Sequence, residues 1–374
     1  MTLCELCPRR CRADRFREGG TPGFCGAGNG VRLFRWGPHF GEEPPITGER
    51  GSGCIFFSRC TMKCLYCQNS PWNWKGEGED KTVLELAAIM RDLALKDRVE
   101  NWNLVSPTPY LPFIREAAAI LRKEGVSLPF VWNSSGFERV ETLEEYSELC
   151  DWALFDLRYS RNETAIAASA TGGYVEAARA AVKWAWERNP RGLVVRVLVL
   201  PGHSDEAIES LAWIATELSN EVPVSVMSQF TPAYKAKETP PFDRGVTAEE
   251  YGEVAEAAAD FGFVNGWTQD LSASDPALAL LGENMPSGHG VSAGPGSAGR
   301  YASCGRPSTS TRRCGGGAGR KVFVETKQWR VKPLTRIASS PLRRTSQAIS
   351  SRTPLAACTK AVTSRRSSYL AGLL

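Results

Sequence analysis

The sequence lacks two features that direct a chain into or across a membrane. No hydrophobic run reaches the roughly 18 residues that a membrane helix needs, and the first residues, MTLCELCPRRCRADRF, contain no apolar core of a signal peptide. We therefore expect a cytoplasmic protein with no membrane partner. Twelve cysteines could suggest a secreted disulfide scaffold, but in this chain of 374 residues they cluster at short spacings. That clustering favours metal binding in a reducing compartment.

Acidic residues are scarce towards the C-terminus. After residue 280 the chain carries 16 Lys and Arg but only 2 Asp and Glu, whereas the first 280 residues carry 29 basic and 39 acidic residues. From about Pro276 the sequence is rich in Gly, Ser, Arg and Thr and has no sustained hydrophobic period. Such a segment cannot bury enough apolar surface to offset chain entropy, so we expect residues 276–374 to be disordered.

Two interpretations of this basic tail remain open. One is a basic arm that binds nucleic acid. The tail has few aromatic residues and no regular repeat, so we do not expect a nucleic-acid partner. The abrupt change in composition favours the other, an out-of-frame extension of the reading frame. In that case Cys304, Cys314 and Cys358 have no role.

The rest of the sequence is organised around Cys60-Thr61-Met62-Lys63-Cys64-Leu65-Tyr66-Cys67, directly after a short apolar run. Thiolates spaced C-x3-C-x2-C on a loop can hold three irons of a [4Fe-4S] cluster and leave the fourth iron open to another ligand. The alternatives are a structural zinc site, which needs a fourth Cys or His nearby, and three incidental thiols. The spacing resembles the signature of the radical S-adenosylmethionine (SAM) enzymes. That resemblance implies that SAM binds the open iron, and Tyr66 matches the aromatic residue before the third cysteine.

A second group of cysteines lies in the first segment, residues 1–50. Cys4, Cys7, Cys11 and Cys25 are spaced C-x2-C-x3-C-x13-C and can form a Cys4 site. The segment is rich in glycine and has too few apolar residues to fold alone, so a bound metal would contribute to its folding. Zinc and a second iron–sulfur cluster are both compatible with four thiolates, and unligated surface thiols remain an alternative.

From residue 51 to about 275 the pattern alternates between strands and helices, which predicts a parallel sheet. Six strands with helices outside them predict an α/β fold, a partial (β/α)6 TIM-like barrel, in which ligands bind at the carboxyl ends of the strands. Helix caps are predicted at Thr82, Thr142 and Thr247, each followed three residues later by Glu. The predicted strands are Gly53–Ser58, Trp102–Ser106, Pro129–Asn133, Trp152–Leu157, Gly192–Leu200 and Val222–Gln229, with a short seventh at Phe263–Trp267. Polar residues recur at their ends: Ser106, Thr108, Asn133, Ser134, Asp156, Arg158, Arg196 and Gln229.

Several further motifs narrow the resemblance to the branch similar to pyruvate formate-lyase activating enzyme, often called the PflX-like group. They are Cys7-Pro8-Arg9, Gly41-Glu42-Glu43-Pro44-Pro45-Ile46, Cys67-Gln68-Asn69, residues 103–109 (NLVSPTP), Asn133-Ser134-Ser135-Gly136, residues 196–201 (RVLVLP) and residues 227–232 (MSQFTP). This resemblance implies one-electron reduction by a donor such as flavodoxin or ferredoxin and cleavage of SAM to methionine and a 5′-deoxyadenosyl radical. By analogy with activating enzymes, the radical takes a hydrogen atom from a glycine Cα of a partner protein.

The same resemblance assigns cofactor contacts. Ser106-Pro107-Thr108 stands where the family usually contacts the methionine amino group, so that contact comes from a main-chain carbonyl or the Thr108 hydroxyl. Arg158, beside Asp156, binds the methionine carboxylate bidentately. We expect the contacts to SAM to come from Tyr66, Ser106, Thr108, Asn133, Ser134, Asp156, Arg158 and Arg196. For Arg158 and Arg196 a purely structural salt bridge is the alternative. For the whole chain, the alternatives are a radical SAM enzyme that modifies a small molecule or peptide and a non-catalytic iron–sulfur or zinc scaffold.

Overall fold

The computed structural model describes residues 3–269 and residue 271. The predicted tail, residues 276–374, and its three cysteines lie outside the described residues.

One mixed sheet of nine strands forms the centre of the fold, in the order β3-β1-β2-β4-β5-β6-β7-β8-β9. From β2 onward along this order all neighbours are parallel, while β1 is antiparallel to both β2 and β3. The strands are β1 Val31–His39, β2 Ser52–Phe57, β3 Glu79–Lys81, β4 Trp102–Val105, β5 Phe130–Ser134, β6 Trp152–Asp156, β7 Leu193–Leu198, β8 Val224–Met227 and β9 Gly266–Thr268. The expected α/β fold, a partial TIM-like barrel with a mostly parallel sheet, is confirmed.

Helices connect the parallel strands, as the alternating pattern predicts. They are α1 Pro44–Thr47, α2 Ser70–Asn73, α3 Val83–Leu95, α4 Leu111–Lys123, α5 Val140–Glu145, α6 Asn162–Ser169, α7 Tyr174–Arg188, α8 Ser204–Glu217 and α9 Ala248–Asp260. Thr82 and Thr247 begin α3 and α9 with the predicted capping boxes. The cap predicted at Thr142 is wrong, because α5 begins at Val140 and Thr142 lies inside the helix.

The antiparallel strands β1 and β3 were not expected from the sequence. β1 pairs with β2 from Leu33 opposite Phe57 to His39 opposite Ser52. This pairing joins residues on both sides of the predicted domain boundary at residue 50. The three-part division of the chain stays a prediction.

The two faces of the sheet bury different layers. Alternate side chains such as Leu104, Trp132 and Phe155 pack against the helices in the large core. On the other face, Leu154 and its neighbours on β5 and β7 pack with Ile46 of α1. α1 therefore covers part of the inner face of the sheet, and the polar residues of that face lie beyond this apolar layer.

Candidate functional site

The predicted cluster motif lies on the loop between β2 and α2, which we call the cysteine loop (residues 60–67). The chain leaves β2 through Arg59, whose φ of 75° is in the left-handed region. The loop is then held to the end of α6 by two main-chain hydrogen bonds, from Lys63 N to Ser169 O (3.1 Å) and from Leu65 N to Ala168 O (2.8 Å). These contacts fix the loop at the edge of the sheet where the parallel strands end.

Each of the three sulfur atoms in this loop accepts a hydrogen bond. Met62 N donates to Cys60 Sγ (3.5 Å), Ser169 Oγ donates to Cys64 Sγ (3.1 Å), and Asn73 Nδ2 donates to Cys67 Sγ (3.7 Å). Hydrogen bonds of this kind stabilise a thiolate relative to a thiol. Each of the three sulfur atoms therefore has a hydrogen-bond donor beside it.

Burial has the opposite effect on these thiols. It raises the pKa of Cys60 and raises the pKa of Cys67 to about 12. A buried thiol becomes a ligand when a metal cation replaces its proton, as in any thiolate metal site. Two acceptors next to the loop, Asn69 Oδ1 and Asn73 Oδ1, are buried without a hydrogen-bond partner among the described residues. Buried polar atoms are normally satisfied, so the donor set and these orphaned atoms fit a bound polar group at this loop.

Arg158 places a cation against the cysteine loop. It follows β6, donates from Nε to Asp156 Oδ2 (2.9 Å) and also from Nη2 to the same oxygen, and its Nη1 lies 3.4 Å from Cys64 Sγ. The two parallel donors of the guanidinium are therefore already used by Asp156. The expected bidentate grip on a ligand carboxylate stays a prediction, and Nη1 is the donor that the guanidinium directs at the loop.

The main chain around this pair is closely packed. The Tyr174 hydroxyl accepts a hydrogen bond from Arg158 N (3.0 Å) and lies 3.1 Å from the Asp156 carbonyl oxygen. Gly136 has a φ of 75°, and a Cβ there would come within 2.3 Å of the same carbonyl. Gly136 is therefore needed for the end of β5 to approach β6 so closely.

Arg196 is held by two glutamates that precede β2. Its Nε donates to Glu43 Oε1 (2.8 Å) and its Nη2 to Glu43 Oε2 (2.7 Å), while Nη2 also pairs with Glu42. Burial is the largest influence and opposes the ionisation of Glu42, but Arg196, with smaller contributions from His39 and Cys54, keeps the pKa of that carboxyl below its usual value. The predicted contact of Arg196 with a cofactor stays a prediction, because the structure shows this side chain engaged in a buried ion pair.

Two asparagines extend this group across the inner face of the sheet. Asn103 Nδ2 donates to Glu42 Oε1 (3.1 Å), and Asn133 Nδ2 donates to Asn103 Oδ1 (3.1 Å). We call the set Glu42, Glu43, Asn103, Asn133 and Arg196 the floor network. It joins Asn133 and Arg196, which were predicted as cofactor contacts, to Asn103 of β4 and to Glu42 and Glu43 before α1, which were not.

The other predicted cofactor contacts have partners of their own. The Thr108 hydroxyl donates to Glu138 Oε1 (2.7 Å), and burial raises the pKa of Glu138 to about 7. Ser134 Oγ accepts from Gly136 N (3.2 Å). Ser106 has a φ of 60°, and its N–H donates to Asn133 O (2.9 Å).

Tyr66 is turned into the protein rather than towards the open side of the loop. Its hydroxyl pairs with that of Tyr159, and its ring packs against Phe230 and Phe242, with ring centroids at 5.5 and 5.7 Å. The predicted contact of Tyr66 with a cofactor stays a prediction.

The N-terminal cysteines lie near one another. Cys25 Sγ and Cys11 Sγ are 3.4 and 3.5 Å from the point where a Cβ on Gly23 would lie, and Cys4 Sγ accepts a hydrogen bond from Arg15 Nε (3.2 Å). Within residues 3–269 and 271, no group of three or more His, Cys, Asp or Glu side chains has the arrangement that would hold a single metal ion, and this is as true of the cysteine loop as of the N-terminal cysteines. A metal centre at these cysteines stays a prediction.

Comparison with known proteins assigns the family. The family model of the Radical SAM superfamily matches residues 54–214, which include the cysteine loop, Arg158 and Arg196. The uncharacterized protein MJ0674 of Methanocaldococcus jannaschii is 31% identical over 275 residues, covering 69% of this chain and 75% of that relative. The chain belongs to the radical SAM superfamily. Membership implies a [4Fe-4S] cluster and SAM, and the three hydrogen-bonded thiols of the cysteine loop are suited to hold the cluster. No helix in the described part of this radical SAM protein is long and apolar enough to span a membrane.

Sequence reasoning missed several side chains of this radical SAM site. Asn73 and Ser169, which donate to two of the sulfur atoms, carry no spacing signal, because one lies on a short helix and the other about 100 residues along the chain. Asn103 was recognised only as part of a family motif. The amide side chains within the predicted strands β4 and β5 were the available signal, since a polar residue inside a buried strand needs a partner.

Proposed function

We propose that this protein cleaves SAM reductively and uses the resulting radical to take a hydrogen atom from a glycine Cα of a partner protein, as a PflX-like activating enzyme. When bound, the cluster and SAM supply the one-electron chemistry that produces methionine and a 5′-deoxyadenosyl radical. The observation that carries the proposal is the position of Arg158. Its guanidinium links Asp156 at the end of β6 to Cys64 of the cysteine loop and keeps one donor, Nη1, at the loop.

The protein's own residues have separate tasks in this scheme. Cys60, Cys64 and Cys67 bind the cluster as thiolates. Nη1 of Arg158 carries two N–H groups: one contacts Cys64 Sγ, and the other donates to the carboxylate of SAM, while Asp156 holds the guanidinium in place. A permanently charged side chain suits this task, because it cannot lose its proton to the carboxylate it binds.

The floor network supports a peptide as the substrate. Asn133 is only partly buried and presents its side-chain amide on the inner face, next to the fully buried Asn103. An amide carries the donor and acceptor groups that pair with a peptide backbone. The sheet is open, with β3 and β9 at its two ends. An extended, glycine-containing segment of a partner can therefore approach from the side as well as from the ends of the strands.

The first experiment tests SAM cleavage. Protein reconstituted anaerobically with iron and sulfide, then given dithionite and SAM, should produce 5′-deoxyadenosine. Cys60→Ala, Cys64→Ala and Cys67→Ala should each abolish the product. The matched control is Cys150→Ala, which removes a buried thiol just before β6 and should leave cleavage intact. Product from the triple alanine variant would disprove the cluster assignment, and no product from the intact protein would favour the scaffold alternative.

The second experiment tests the substrate. We expect deuterium to appear in 5′-deoxyadenosine when the enzyme is given a library of randomised peptides centred on α-dideuterated glycine. A library centred on α-deuterated alanine is the control and should transfer little. No transfer from the glycine library, together with transfer from deuterated small metabolites, would instead support the small-molecule alternative.

A further inference from the structure

The N-terminal cysteines adjoin the cysteine loop through the contacts of a partly buried arginine. Arg9, two residues after Cys7, donates from Nε to Thr61 O (2.6 Å) and from Nη2 to Ala170 O (2.8 Å). Thr61 is the neighbour of Cys60. One side chain therefore connects the segment that carries the N-terminal thiols to the segment that carries the cluster ligands.

A second contact joins the same two segments from the other side. The Arg59 side chain lies against Gly26, where a Cβ would be 3.2 Å from Arg59 Cδ. Gly26 follows Cys25, and Arg59 precedes Cys60. Because consecutive Cα atoms are about 3.8 Å apart, the Cα atoms of Cys25 and Cys60 are separated by at most about 16 Å. Electrons pass readily between protein-bound redox centres at such separations.

The charges around the N-terminal cysteines point to an anionic centre there. Arg15 is fully buried, and its guanidinium donates to Cys4 Sγ (3.2 Å), to Gly28 O (3.1 Å) and to Pro109 O. No carboxylate among residues 3–269 and 271 forms an ion pair with Arg15. A buried charge needs a compensating charge, and a set of metal-bound thiolates that includes Cys4 provides one.

We propose that Cys4, Cys7, Cys11 and Cys25 bind a redox-active iron–sulfur cluster that passes single electrons to the cluster of the cysteine loop. The electron-transfer half of this inference rests on the proposed function. One electron enters from a reduced flavin or iron–sulfur protein and one electron leaves for the cysteine-loop cluster. No bond is made or broken at the N-terminal centre. Four protein thiolates occupy every iron of a [4Fe-4S] cluster, so this centre transfers electrons and binds no SAM.

The metal is tested first, in the full-length chain with Cys60, Cys64 and Cys67 all changed to Ala. This variant keeps the N-terminal thiols, so after reconstitution it should retain about four irons and four sulfides per chain. Dithionite should give it an electron paramagnetic resonance signal that SAM does not change. Adding Cys11→Ser, at an exposed thiol, should remove both the iron and the signal, whereas adding Cys150→Ser should leave them. A tightly bound zinc ion, or no metal, would overturn the proposal.

Electron transfer is tested by comparing two reductants in the chain with an intact cysteine loop. In Cys11→Ser, 5′-deoxyadenosine formation driven by reduced flavodoxin should fall roughly tenfold or more, while formation driven by dithionite should stay close to that of the unaltered protein. Equal losses with both reductants would mean a structural role, and no loss with either would exclude a relay. If the unaltered protein makes no product even with dithionite, the proposed function fails. The resonance signal of the triple variant still decides whether the second cluster exists.

Discussion

Arg158 offers the sharpest test of how this protein holds SAM. Its Nε and Nη2 are bound to Asp156, so Arg158→Ala should remove one charged hydrogen bond to the SAM carboxylate, the one from Nη1. A hydrogen bond to a charged group contributes about 1.5–3 kcal/mol, and a single donor places the expected loss near the lower figure. That corresponds to a Kd roughly ten times weaker. Arg158→Lys should recover most of the affinity, because one ammonium supplies both the charge and a donor.

Anaerobic calorimetric titration with SAM measures this effect, alongside iron and sulfide content. The matched control is Arg161→Ala, which removes a nearby exposed arginine paired with Asp205 and Glu209 and should leave affinity unchanged. Unchanged affinity in Arg158→Ala would leave Arg158 as a structural partner of Asp156. Loss of iron in that variant would instead show that the hydrogen bond to Cys64 supports the cluster itself.

Three further changes test other parts of the structure. Arg196→Met leaves two buried glutamates without their cation and should lower the free energy of unfolding in urea by about 3–5 kcal/mol. The control, Arg244→Met at an exposed ion pair, should lower it by less than about 1 kcal/mol. Similar losses in the two variants would mean that the buried ion pair stabilises the fold no more than an exposed one. Burial raises the pKa of Glu138 to about 7, so its contribution to stability is fully present below the unfolded-state pKa and is lost as pH rises towards 7. Glu138→Gln should flatten that decline in urea titrations at several pH values, and an unaltered slope would refute the assignment. Thr82→Ala removes the cap of α3 and should cost about 1 kcal/mol, and no change in thermal unfolding would show that the cap is dispensable.

The parallel part of the fold was predictable because each strand is a short apolar run followed by an amphipathic helix. β1 was missed since Arg35, Gly37 and Pro38 interrupt its apolar alternation, which also shifts register after Leu33. The cap at Thr142 failed for a different reason. A Thr followed by Glu three residues later also occurs inside helices, and only the preceding turn decides where α5 begins.

The site was predictable only where its residues are close in sequence. The three cysteines of the cysteine loop lie within eight residues, so their spacing alone predicted them as cluster ligands. Asp156 and Arg158 were found for the same reason, and they do pair. Arg196 was expected at a cofactor, but its partners precede β2, and no local pattern connects residues so far apart.

The ion pair between Arg196 and Glu43 spans 153 residues of sequence, which has a consequence for how the chain is made. While a ribosome is still synthesising the first half of the barrel, Glu42 and Glu43 cannot yet pair with Arg196, and the inner face of the sheet next to α1 stays open to water. This part of the inner face can be buried only after β7 has emerged from the ribosome, because contacts between residues far apart in sequence form late. Nascent chains arrested before residue 193 should therefore be cut by protease near α1, and chains that extend beyond β8 should be protected there.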